Sequence, residues 1–139
     1  ITTFLTSLQL PKLTKRFGNN RILLIGEIAL SLGLLWASLS PLELGYVQAV
    51  ALPMLVIGIG QAMVMAPVTA AGIYQAPDDL AGSASGLTNA MHQIGGPIGL
   101  SVIMAMTSNF YVSLGWMAGF SLVALLFVLI FVYQFGKNP

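Results

Sequence analysis

Residues 46–74 read YVQAVALPMLVIGIGQAMVMAPVTAAGIY and carry no charged side chain. A membrane-spanning helix needs about 20 mainly apolar residues to cross about 30 Å of hydrocarbon. Apolar and polar residues do not alternate here, as they would in the strands of a membrane β-barrel. The stretch therefore predicts a helix that crosses a lipid bilayer.

Similar apolar stretches lie on either side, and together they predict an all-α membrane protein with about four antiparallel transmembrane helices in one domain. The connections between them are short, so consecutive helices are expected to be neighbours that run in opposite directions. The predicted segments are a helix tail over 1–10, a loop over 11–21 and spans over 22–39, 46–74, 80–107 and 114–135.

The composition agrees with a lipid environment. Of the 139 residues, 57% are hydrophobic and 6% are charged, whereas a soluble domain carries about 25% charged residues. Five Lys and Arg residues are too few for nucleic acid, which needs clustered cations to bind phosphates. The chain begins with Ile rather than Met, and we expect it to be the C-terminal fragment of a longer protein.

The cations predict the orientation. Four of them precede the first predicted span and Lys137 follows the last, while the two loops on the opposite side contain no Lys or Arg. Positively charged loops stay in the cytoplasm. We therefore expect a multi-pass protein of the cell membrane with both ends of the fragment in the cytoplasm.

A polar stripe runs along the third predicted span. At 100° per residue, Ser85, Thr88, Asn89 and His92 project onto one face. Unsatisfied polar groups are costly in lipid, so this face should lie against protein or a water-filled cavity. Hydrogen bonds between helices and a substrate cavity both explain the stripe. With Gln61 of the second span, these residues are the candidates for a substrate cavity.

Two ionisable residues inside the spans are candidates for proton coupling. Glu27 is the one acidic residue within a predicted span, and such carboxylates often serve function. It lies about 9 Å along the helix from Arg21, so it could instead reach the interface or pair with a cation. The side chain of His92 changes charge near physiological pH, or it stays neutral and hydrogen-bonded within the bundle.

Small residues recur four positions apart, as in Gly82 and Gly86 or in Ala62, Ala66 and Ala70, and such rows let helices approach closely. Gly95, Gly96, Pro97 and Gly99 are predicted to pack against a neighbour and to bend the third span, because proline removes a hydrogen-bond donor.

No pattern indicates an enzyme. The chain has no Cys and one His, no carboxylate pair within a span and no phosphate-binding glycine loop. We therefore expect no catalytic site, no metal and no cofactor.

Residues 11–21, PKLTKRFGNNR, resemble the cytoplasmic loop signature of the major facilitator superfamily, G-x-L-a-D-R-x-G-r-r. Leu13, Arg16 and Gly18 match the signature, and Lys12 and Arg21 add to its positive charge. The chain departs from it at position 11, where Pro replaces Gly, and at position 15, where Lys replaces Asp.

Residues 77–99, PDDLAGSASGLTNAMHQIGGPIG, are similar to the penultimate helix of fourteen-spanner drug:proton antiporters of that superfamily, which often have Arg where this chain has His92. The resemblance implies part of a major-facilitator C-terminal bundle, in which the second and third spans border the central cavity. The first and fourth spans would be scaffold, which argues against Glu27 as the coupling carboxylate.

The resemblance also implies a function, proton-coupled export of small, often hydrophobic compounds (multidrug efflux). The partners would be the lipid bilayer, a small-molecule substrate, protons and the N-terminal half of the transporter. Two alternatives remain open: a transporter of the same superfamily with another substrate class, and a membrane scaffold that does not transport.

Overall fold

A computed structural model describes residues 2–73 and 76–135, and every regular element within them is helical. The α-helices are α1 (Thr2–Phe17), α2 (Asn19–Leu39), α3 (Leu52–Ile73), α4 (Ala81–Met106) and α5 (Phe110–Phe135). The predicted all-α class is confirmed for this part of the chain.

Three of the described helical stretches are long and apolar enough to cross a membrane: Asn19–Leu39, Val47–Ile73 and Phe110–Ile130. The α4 helix is long enough, but its polar side chains and glycines lower its mean hydropathy. The count of four spans therefore stays a prediction.

Helix α1 extends through most of the predicted 11–21 loop, which corrects the boundary of that loop. Pro11 lies inside the helix, and the chain stays helical as far as Phe17. The direction changes at Gly18 alone, whose φ is +81°. Because a side chain is strained at such an angle, glycine is the residue that allows α2 to begin directly at Asn19.

The start of the second predicted span is not α-helical. Residues Val47–Ala51 form a π-helical turn, and α3 follows from Leu52. Pro53 explains the wider turn, because proline has no N–H and its ring clashes with the carbonyl four residues earlier. The predicted end of this span, Tyr74, lies outside the described residues.

Helix α5 begins at Phe110, one turn before the predicted Leu114. The side-chain oxygen of Asn109 accepts hydrogen bonds from the backbone N–H groups of Tyr111 (3.0 Å) and Val112 (3.2 Å). Asparagine is a favoured N-cap, because it satisfies amides that have no partner within the helix. This cap sets the start of α5.

Helix α2 lies at the centre of the bundle, with α3 on one side and α5 on the other, and α1 packs against α3. Glycines bring α2 and α3 together: a Cβ atom added to Gly60 would lie 2.6 Å from the backbone nitrogen of Leu30, and one added to Gly26 would lie 2.7 Å from Cβ of Met63. The two backbones are thus in direct contact, as small residues permit in membrane helices.

Candidate functional site

Helix α4 is exposed over much of its surface, and its polar stripe is divided between exposed and partly buried residues. Asn89 and His92 are exposed, while Ser85 and Thr88 are partly buried on the side of α3. The hydroxyl of Thr88 donates to the carbonyl of Ala84 in its own helix, at 2.9 Å. Hydrogen bonding among the described helices therefore does not account for the exposed part of the stripe.

Thr88 of α4 lies against Gly72 of α3. A Cβ atom added to Gly72 would collide with the Thr88 hydroxyl. Gln61, the candidate on α3, is half-buried. Within the described residues no hydrogen bond joins Gln61 to the α4 stripe, so the five cavity candidates do not form one closed site in this part of the chain.

A second polar group lies between α2 and α5, around Glu27. The carboxyl group is 4% exposed, and the Ser121 hydroxyl donates a hydrogen bond to its Oε1 atom at 3.0 Å. Ser121 Oγ lies 2.8 Å from Ser31 Oγ, and either hydroxyl can donate. The three side chains form a buried chain of hydrogen bonds that joins the two helices.

Glu27 thus turns inward rather than toward a cation. No Lys or Arg side chain forms an ion pair with it among the described residues. The sequence singled out Glu27 but missed Ser121, which lies in the almost wholly apolar α5. One feature of the sequence could have indicated Ser121. It is an isolated polar residue of its span, at about the same depth in the membrane as Ser31.

The basic residues surround the joint between α1 and α2. Lys12, Lys15, Arg16 and Arg21 are exposed, and the Arg16 guanidinium lies 5.4 Å from the centre of the Phe17 ring. Leu13 points the other way and packs against the apolar core. The turn therefore presents charge outward while its leucine anchors it to the bundle.

The glycines near Pro97 in α4 have no close neighbours. Helix α4 is continuous through Pro97, and no atom lies within 4 Å of a Cβ atom built on Gly95, Gly96 or Gly99. Within residues 2–73 and 76–135 these positions thus pack against no helix.

A groove of about 440 Å³ runs between α1 and α3. One wall carries the hydroxyls of α1, of which Ser7 donates to the carbonyl of Phe4 and Thr14 to that of Leu10. The other wall is the small-residue row Ala62, Ala66 and Ala70. Ala62 is buried, whereas Ala66 and Ala70 are more open to the groove. The groove offers mainly apolar contacts.

No group of three or more His, Cys, Asp or Glu side chains is suited to a metal ion in the part of the chain that the structure describes. The polar residues present are single carboxyl, imidazole, amide and hydroxyl groups. Such groups can hydrogen-bond a small molecule or exchange a proton.

The chain was compared with known proteins. A family model described as Major Facilitator Superfamily matches residues 1–100. No curated protein and no solved structure matches the chain. The matched range includes the Gly18 joint, the Glu27 position and all four residues of the polar stripe of α4.

Proposed function

This chain belongs to the major facilitator superfamily and is thus part of a membrane transporter, and we propose that it forms the last helices of a proton-driven exporter of small, often hydrophobic compounds. The observation that carries the proposal is the exposed part of the polar stripe, Asn89 and His92, for which the described helices supply no hydrogen-bond partner. An exposed polar face inside a bilayer requires a protein or aqueous neighbour.

The substrate would lie on that face. Asn89 and His92 can hydrogen-bond a small molecule, and Thr88 and Gln61 mark the edge toward α3. Most of the other exposed side chains of α4 are apolar, as suits a hydrophobic compound. We propose that these residues line one side of a cavity whose other side comes from the N-terminal half of the transporter.

Transport would follow from alternating access. Two helical halves rock around a site near the middle of the bilayer, and protons that re-enter the cell drive the export. This chain supplies part of one half, with the Lys12–Arg21 joint in the cytoplasm, and does not transport alone.

The test uses the full-length transporter in inverted membrane vesicles. We expect uptake of a hydrophobic fluorescent compound when a proton gradient is imposed, and loss of that uptake when an ionophore collapses the gradient. Vesicles without the transporter are the control. Uptake that persists after collapse would contradict proton coupling, and the absence of uptake for every hydrophobic compound tried would favour another substrate class.

A further inference from the structure

The strongest site outside the proposed substrate cavity is the hydrogen-bonded chain of Glu27, Ser121 and Ser31. It lies between α2 and α5, on the side of α2 away from its glycine contact with α3. All three side chains are buried. A carboxyl group with two hydroxyls inside an apolar helix pair needs an explanation beyond packing.

No positive charge faces this carboxyl group from the helices packed around it. Helix α3 has no ionisable side chain, and α5 carries only the phenols of Tyr111 and Tyr133. The cations of α1 and Arg21 of α2 are exposed at the joint, and none forms an ion pair with Glu27 in the described residues. A buried carboxylate without a counter-charge is costly, so the site favours a neutral, protonated carboxyl group.

The two serines can serve both protonation states without moving a heavy atom. A hydroxyl has one donor and two acceptor sites, whereas an ionised carboxylate only accepts. With Glu27 ionised, Ser31 donates to Ser121 and Ser121 donates to Glu27. With Glu27 protonated, its O–H donates to Ser121 and Ser121 donates to Ser31. Rotation of two hydroxyls reverses the whole chain.

From this geometry we infer that Glu27 binds and releases the proton that drives transport, with Ser121 as a positioning residue and Ser31 as the end of the chain. The inference rests on the proposed proton coupling and deepens it, because it puts the proton outside the substrate cavity. In the binding step, a proton from water joins Glu27 Oε1 and the carboxylate loses its charge.

A proton suits the site better than a metal cation. Ser121 Oγ already lies 3.0 Å from Glu27 Oε1 and 2.8 Å from Ser31 Oγ. A cation among these oxygens would therefore have to push α2 and α5 apart. The site also offers one carboxylate only. Release of the proton leaves a charge in a dry interface, and the charge favours a state in which water enters between α2 and α5. Proton binding would then close this helix pair.

The first experiment observes the proton directly. Infrared difference spectra of the purified full-length transporter are recorded between acidic and alkaline buffer. We expect a carbonyl band of a protonated carboxyl group that disappears in Glu27→Gln and shifts in frequency in Ser121→Ala, because the hydrogen bond is lost. Ser121→Thr should restore the band position.

The control is Ser38→Ala, because Ser38 lies on the same helix but donates to its own backbone carbonyl at Leu35; the band should not move. A band that responds to sodium ions and not to pH would overturn the inference. So would a band that is the same in Ser121→Ala and wild type.

The second experiment separates this inference from the proposed function. In proteoliposomes, Glu27→Gln should abolish the stimulation by a proton gradient and keep downhill substrate exchange, while Ser38→Ala behaves like wild type. If wild type itself ignores the gradient, the proposed coupling fails. If wild type is gradient-driven and Glu27→Gln is stimulated equally, the coupling stands and the role of Glu27 is overturned.

Discussion

His92 and Glu27 are the two candidates for proton coupling, and their surroundings differ. His92 is exposed on the polar face of α4, whereas Glu27 is enclosed between α2 and α5. In the cavity that we propose, an exposed imidazole can contact the substrate, while an enclosed carboxyl group cannot. The two residues are therefore expected to affect different properties of transport.

His92→Gln tests the first of these roles. The amide keeps hydrogen-bonding capacity but cannot change charge, so we expect weaker transport or an altered pH profile between about pH 5 and pH 8. Substrate uptake into inverted vesicles measures the effect. Met91→Ala is the matched control, because Met91 is the exposed neighbour that projects away from the stripe. If wild type, His92→Gln and Met91→Ala show the same uptake at every pH, His92 has a structural role only.

At the scale of the helices, the contact between α2 and α3 has the least tolerance for added atoms. Gly60→Ala would put a methyl group 2.6 Å from a backbone nitrogen of α2, and backbone cannot rotate away. Overpacking of this kind costs about 1–3 kcal/mol. In detergent, Gly60→Ala should therefore unfold at a lower temperature than wild type.

Gly119→Ala is the control for that measurement, because a Cβ atom there has no neighbour within 4 Å. Its unfolding temperature should stay at or above that of wild type. Equal stability of Gly60→Ala and wild type would mean that α2 and α3 are not in backbone contact.

The cap of α5 gives a second prediction for a single helix. Asn109→Ala removes the acceptor for two backbone amides, at a cost of about 1 kcal/mol. Hydrogen exchange should become faster at the amides of Tyr111 and Val112 and stay unchanged in the middle of α5. Ser108→Ala, one residue earlier, is expected to leave exchange unchanged. If both variants exchange alike, Asn109 does not act as the cap.

The number of membrane crossings is a property of the whole chain. The protein contains no cysteine, so single cysteines report topology directly. We expect Asn20→Cys and Asp79→Cys to react with an impermeant reagent from the cytoplasmic side, and Glu43→Cys and Ser108→Cys from the opposite side. If residues 79 and 108 are labelled from the same side, α4 does not cross the membrane, and the chain has three spans rather than four.

Hydropathy predicted much of this architecture, because the position of a membrane span depends on a long stretch of sequence. The spans around α2, α3 and α5 follow from apolar length, and the family follows from the resemblance of residues 11–21 and 77–99 to known motifs. The π-turn, the Asn109 cap and the continuation of α1 through Pro11 are local details at single residues, and these are lost when hydropathy is averaged over a long stretch.

The pairing of Glu27 with Ser121 could not be predicted from the sequence for a related reason. Ser121 is separated from it by most of the chain, and only the packing of α2 against α5 brings the two together. Periodicity assigns a residue to a face of its own helix, whereas the neighbouring helix that covers this face is a tertiary property. The α4 stripe was visible in the sequence because it lies within one helix.

The π-helical turn at Val47–Ala51 has a consequence for how this protein can vary between species. Such a turn holds one residue more than an ordinary turn over a similar rise, and Pro53 requires that extra room. Deletion of one residue here would restore regular winding, but the proline ring would then clash with the carbonyl before it. A homologue that is one residue shorter at this point is therefore expected to have lost the proline as well.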